Sequence, residues 1–168
     1  MKLLPFENIT YKTSLKEDEV IKRLEEKVDQ EPGLKFGLVK KKNANKYHGS
    51  IVKQTFDIYR IISYRNSFLP RITGIVENDF DGTSIRVKMR MHVFVNIFLC
   101  SWFGLIGYGL VLSFIQMNEK PDFDSSIFIT LFGLLLFAYA LTMGAFKYES
   151  NKSKKDLKQL FEADIVEE

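Results

Sequence analysis

The chain has a single cysteine, one tryptophan, four prolines and two histidines among 168 residues. With Cys100 alone no intrachain disulfide can form, so folding needs no oxidising compartment. Cys100, His48 and His92 cannot supply the three or four ligands of a metal site, and no further ligand stands at helical or knuckle spacing beside them; neither a metal nor another cofactor is expected. Met1-Lys2-Leu3-Leu4-Pro5-Phe6-Glu7 lacks the apolar core of a signal peptide. A strong excess of one charge is missing too: 24 basic and 21 acidic residues leave +3, which does not suit a nucleic-acid binder. The most informative absence is local. Val93–Ile115 and Ser126–Phe146 contain no Asp, Glu, Lys, Arg or His at all.

Each of those runs exceeds the roughly 18–20 apolar residues that cross a hydrocarbon core of about 30 Å at about 1.5 Å per residue, so the sequence predicts a transmembrane helical hairpin. Mean hydropathy over the whole chain is −0.07, which hides this by averaging a greasy hairpin with a polar remainder. Arg86, Lys88 and Arg90 precede the first run, and Lys147, Lys152, Lys154 and Lys155 follow the second. The link 116–125 holds Glu119, Asp122 and Asp124 against Lys120. Basic residues stay inside, so both termini are expected in the cytoplasm and the link outside. Spans without ionisable groups disfavour an ion or proton path.

The remaining residues, 1–92 and 147–168, are enough for one modest domain. Leu15–Val28 places Val20, Ile21, Leu24 and Val28 on one helical stripe, with Ser14 as the expected cap and Pro32-Gly33 as the stop. Ile9–Ser14 is expected as an edge strand. From Leu34 to Met91 the period becomes two, through Phe36/Leu38, Phe56/Ile58, Ile72/Gly74/Val76 and Ile85/Val87/Met89/Met91. Lys42-Asn43-Ala44-Asn45, Asn66-Ser67 and Asp79-Phe80-Asp81-Gly82 mark reversals, the last being the strongest hairpin signal. Links this short exclude parallel crossovers, so an antiparallel β-meander is expected. Ser153–Ile165 puts Leu157, Leu160, Phe161 and Ile165 on one face of a second amphipathic helix. The expected fold is therefore α+β: a meander with an N-terminal and a C-terminal amphipathic helix, interrupted by the hairpin at 93–146.

Four groups of residues carry functional expectations. Lys88, Arg90, Lys147, Lys152, Lys154 and Lys155 should meet the membrane surface, where each cation near anionic lipid gains about 1 kcal/mol. The plainer account of Arg86, Lys88, Arg90 and His92 is a solvated strand face, and Lys40-Lys41-Lys42 reads as a charged loop. Arg60, Arg65 and Arg71 could line a rim for an anionic ligand or partner, because guanidinium forks suit carboxylate and phosphate. Asn96, Cys100, Gly104 and Gly107 fall within about 80° of one another on the first span, and Gly133, Ala140 and Gly144 share a face of the second. Small residues let helices approach, so these faces are expected to meet within the hairpin, or else to form a homodimer. Glu25/Glu26 and Asp79/Asp81 lie where burial cannot tune them for acid–base work, and no catalytic constellation stands out.

Tyr64-Arg65-Asn66-Ser67-Phe68-Leu69-Pro70, then Gly74-Ile75, then Ile85-Arg86-Val87-Lys88-Met89-Arg90-Met91-His92 running straight into a span, resembles a pattern in uncharacterised bacterial two-span membrane proteins. It covers roughly residues 47–103 and implies an inner-membrane protein, without an activity. The order of elements also resembles helix-grip and pleckstrin-like domains, though no motif of either is matched. The expectation is a non-enzymatic, membrane-anchored cytoplasmic domain that binds membrane lipids or a membrane-associated protein. A small-ligand sensor with a cavity between sheet and last helix is the alternative, and a lipid-acting enzyme a further one. Topology is directly testable once Cys100 is replaced. A membrane-impermeant thiol reagent added to intact cells should modify an Asp122→Cys variant and leave a Lys155→Cys variant untouched; the reverse pattern would refute the orientation.

Overall fold

Alternation of apolar and polar residues builds a sheet, and two long apolar runs leave it. The computed structural model describes residues 4–30, 45–120 and 124–167. Within them the chain runs β1 (Phe6–Thr13), α1 (Glu17–Lys27), β2 (Val28–Asp29), β3 (Tyr47–Val52), β4 (Thr55–Arg60), β5 (Arg71–Asp79), β6 (Gly82–Arg90), α2 (Val93–Glu119), α3 (Ser126–Phe161) and β7 (Asp164–Glu167). The fold is α+β, with one sheet in the order β2-β3-β4-β5-β6-β1-β7. That sheet is mixed, because β2 pairs parallel with β3 while the other neighbours are antiparallel. Expectations for Phe36/Leu38, Pro32-Gly33, Lys40-Lys41-Lys42, the reversal at 42–44 and Asp122 fall outside the described residues.

Several local expectations are corrected. Ile9–Ser14 is not an edge: β1 lies between β6 and β7, and Ile9 and Tyr11 are buried. The first helix is capped at Lys16, without a side-chain hydrogen bond, instead of at Ser14. It ends at Lys27 and Val28 already opens β2. No separate C-terminal helix begins at Ser153. The second apolar run and the amphipathic segment form one unbroken 36-residue helix, and Ile165 lies in β7. That helix stops because Glu162 turns left-handed at φ 47°, with Ala163 N–H donating to the Lys158 carbonyl and Glu162 N–H to that of Gln159, a Schellman ending.

One face of the sheet is covered. Ile9, Tyr11, Phe56, Ile58, Ile72, Val76, Ile85, Val87 and Met89 point to a common core with Val20 and Leu24 of α1 and with Phe146, Leu157 and Phe161 of α3. Phe161 sits at the centre, its ring 5.9 Å from Tyr11 and 6.4 Å from Phe56. These side chains pack between the sheet and the C-terminal part of α3. Two residues, Met91 and His92, separate β6 from α2, and the His92 Nδ1 accepts the Phe94 N–H at 3.2 Å, capping the helix as the strand ends.

Both α2 and α3 are long and apolar enough to cross a membrane. They do not behave as core helices, since only 17% and 6% of their most apolar stretches are buried. They touch where Gly109 faces Leu131 and where the Phe114 and Phe128 rings lie 6.4 Å apart, and Ile106, Ser113 and Thr142 are buried along the two helices. The expected small-residue faces do not meet. A methyl group at Gly104, Gly107, Gly133 or Gly144 would have nothing within 4 Å, Ala140 is exposed, and the Asn96 amide reaches back to the Met91 carbonyl at 3.5 Å. Contact runs through other positions, among them Gly109 against Leu131 and Phe114 against Phe128.

One glycine is required by packing. Gly74 pairs with Phe56 across β4 and β5, and the Phe56 ring lies over it where a Cβ would stand. A Gly74→Ala substitution must displace that ring from beneath Phe161 and should cost about 1–3 kcal/mol, read as a lowered melting temperature. The cost should shrink in a Phe56→Leu background. Equal cost in both backgrounds would contradict the ring-over-glycine account.

Candidate functional site

The end of the sheet from which α2 departs gathers residues from four segments. Arg90 of β6 pairs with Phe6 of β1 and with Arg71 of β5. His92 follows two residues later, and the connection 61–70 between β4 and β5 lies at the same end. Exposed apolar side chains collect here: Leu4, Phe6, Ile61 and Tyr64. The sequence around Asn66 folds the connection tightly, its Oδ1 accepting the Phe68 N–H at 3.0 Å and its carbonyl the Leu69 N–H at 3.3 Å. Phe68 packs against the core, so the connection is pinned at both sides.

The uncovered face of the sheet is polar and rich in cations. Arg71 pairs with Asp57, Arg86 with Glu77, and Lys12 with Asp79 at 2.7 Å. Lys88 and Arg90 are exposed and have no acidic partner among the described residues. Two adjoining hollows of about 420 and 590 Å³ cross this face, sharing Ser50 and Asp57; Lys88 and Arg86 border the first, Arg71 and His92 the second.

Beneath the covered face, the inner half of α3 carries a buried polar network that the sequence did not reveal. Glu7 of β1 is 3% exposed and lies between Lys147 Nζ at 2.5 Å and Lys154 Nζ at 2.8 Å. Burial alone would push its carboxyl up, but the two ammonium groups and the Ser150 hydroxyl outweigh that and hold it below 4.5. Glu149, fully buried, accepts a hydrogen bond from the Tyr64 hydroxyl, with Arg60 Nη1 4.0 Å from its second oxygen. That bond pushes the Tyr64 phenol up to about 12. Arg60 also pairs with Asp156 at 3.0 Å, and Lys46 reaches the same carboxylate at 3.1 Å. Burial raises the Tyr47 phenol as well, with Asp156 adding to it. Each of the three acids Glu7, Glu149 and Asp156 thus faces a cation, and the network joins α3 to the sheet.

The expected groupings are rearranged accordingly. Arg60, Arg65 and Arg71 do not form one rim: Arg60 is inside the network, Arg65 is exposed on the connection, and Arg71 is on the open face beside Asp57. An enzyme site built on Arg65, Arg71 and a carboxylate is therefore not assembled. Lys147 and Lys154 turn inward to Glu7, whereas Lys152 and Lys155 are exposed, Lys152 lying 5.5 Å over the Tyr148 ring. No three of His, Cys, Asp and Glu come together as a metal site among the described residues. Comparison with known proteins finds no family model, no curated protein and no solved structure that matches the chain.

The Glu7 cluster generates a pH signature. A carboxyl held below its ordinary value stabilises the fold fully above about 4.5, and that stabilisation is lost as pH falls through the lowered value. Glu7→Gln should lower stability at pH 7 by on the order of 3 kcal/mol, because Lys147 and Lys154 lose their shared anion in a buried site. The gap to the unsubstituted protein should narrow steadily below pH 4.5 in detergent melts. A gap of the same size at pH 7 and pH 3 would contradict the assignment.

Proposed function

We propose that the chain is a non-enzymatic, membrane-anchored module whose cytoplasmic α+β domain is held against anionic lipid headgroups. In this reading α2 and α3 cross the bilayer, and the sheet sits on its cytoplasmic surface. One observation carries it: β6 passes into α2 within two residues, so the sheet end bearing Arg90, Arg71, His92 and the connection 61–70 cannot lie far from the polar boundary of the first apolar run. The unbroken passage of α3 from its apolar half into the core supports the same placement from the other side. The charge pattern around the runs favours cytoplasmic termini. The reading extends to a bacterial inner membrane as the bilayer.

Among the described residues, Lys88 and Arg90 are exposed on the open face without an acidic partner, and Lys152 and Lys155 stand exposed on α3. They put cations on both sides of the sheet, and the attraction of each to an anionic leaflet is worth about 1 kcal/mol near the surface and fades within a Debye length. Tethering also raises the domain's effective concentration toward other membrane-bound proteins. The hollows on the open face favour a membrane-associated protein as the second ligand class.

Hydrogen exchange on the full chain in nanodiscs tests the first part. Residues 61–70 and the ends of β5 and β6 should exchange more slowly in discs containing phosphatidylglycerol than in pure phosphatidylcholine. High salt, or the pair Lys88→Gln and Arg90→Gln, should abolish the difference. Identical exchange in both lipids at low salt would refute headgroup engagement.

A further inference from the structure

We propose that the groove between the connection 61–70 and α3 holds one phospholipid, its phosphate on Arg65 and an acyl chain along Leu141 and Ala145. The groove encloses about 540 Å³. Its two walls differ in chemistry. Leu141 and Ala145 belong to the apolar run of α3, while Tyr64, Arg65 and Ser67 line the opposite, polar side. The change from apolar to polar comes at Phe146–Lys147, the level at which a lipid's glycerol and phosphate lie if α3 crosses the bilayer. The proposal rests on that reading of the spans.

The charge presented to the groove is positive. Glu149 also lines it, but its carboxylate is fully buried behind the Tyr64 hydroxyl and faces Arg60. Arg65 is exposed and has no acidic partner among the described residues, so its guanidinium fork is available to a phosphate. The wall that carries it is preorganised. Tyr64 is tied to Glu149 on one side of Arg65, and Asn66 closes the turn on the other. Occupancy then costs little ordering of the protein. A free phosphate ion would meet Arg65 but gain nothing from Leu141 and Ala145, so a lipid is the occupant that uses both walls.

Native mass spectrometry of the full chain, delipidated in detergent and titrated with phosphatidylglycerol, tests this. One lipid should be retained. Arg65→Gln should weaken retention at least about tenfold, as loss of a charge-assisted bond implies, with Arg65→Lys falling between. Ala145→Phe, which fills the groove from the other wall, should weaken it as well. Lys53→Gln, exposed in the β3–β4 turn at the opposite end of the sheet, should leave it unchanged. If Arg65→Gln, Lys88→Gln and Arg90→Gln all weaken retention equally and Ala145→Phe does not, attraction is diffuse; the groove site is then overturned while headgroup engagement by the surface stands. If soluble glycerol phosphate competes as well as the lipid, the acyl part of the proposal is overturned. Unaltered retention by Arg65→Gln overturns the phosphate assignment.

Discussion

Every structural relation in this chain depends on the hydrogen-bond ladder of α3 running for 36 residues without a break. At about 1.5 Å per residue that rod is roughly 54 Å long, well beyond the roughly 30 Å of a hydrocarbon core. Its outer half is apolar all round and finds few protein neighbours. Its inner half is one-sided, with Phe146, Leu157 and Phe161 buried on the sheet. A helix cannot change direction between those halves without leaving backbone groups unpaired. The orientation of the sheet is therefore set by the orientation of the apolar half, and the second attachment, through His92 at the start of α2, leaves little freedom to tilt.

What joins rod to sheet is a combination of packing and charge. Phe161 against Tyr11 and Phe56 supplies apolar area, and Glu7, Glu149 and Asp156 supply partners for Lys147, Lys154, Arg60 and Lys46. Buried pairs are poor sources of net stability but costly to break one side at a time, so they fix register more than they add free energy. The charges sit at intervals along the helix that match β1 and β4. A sliding or rotated α3 would leave several acids buried without cations.

Local patterns made much of this readable. The apolar runs, the alternation through Ile72–Val76 and Ile85–Met91, and the reversal at Phe80-Asp81 all correspond to elements seen. What escaped was pairing over long separations. Glu7 and Lys147 are 140 residues apart, and nothing near either announces the other. A signal existed in parity: Glu7 shares the period-two face of Ile9 and Tyr11, so a charge stood at an inward position. The series Phe146, Glu149, Ser150, Ser153, Leu157 and Phe161 likewise keeps helical spacing straight across the point where the apolar run ends. Lysines at that boundary read as solvated anchors because their acidic partner lies at the other end of the chain. The small residues of the spans misled for a different reason, since spacing places them on a face without saying which face meets the neighbour.

The central claim is that α3 is one continuous helix, lipid-exposed in its outer half and locked to the sheet in its inner half. Nitroxide scanning from Phe132 to Lys155 in reconstituted bilayers, with oxygen and a water-soluble nickel chelate as paired relaxants, tests it most directly. The account predicts a single 3.6-residue periodicity with no phase break near Phe146, oxygen access dominating before that residue and nickel access on the exposed positions after it. A phase break at Phe146–Ser150, or nickel access throughout the Phe132–Ala145 stretch, would contradict it.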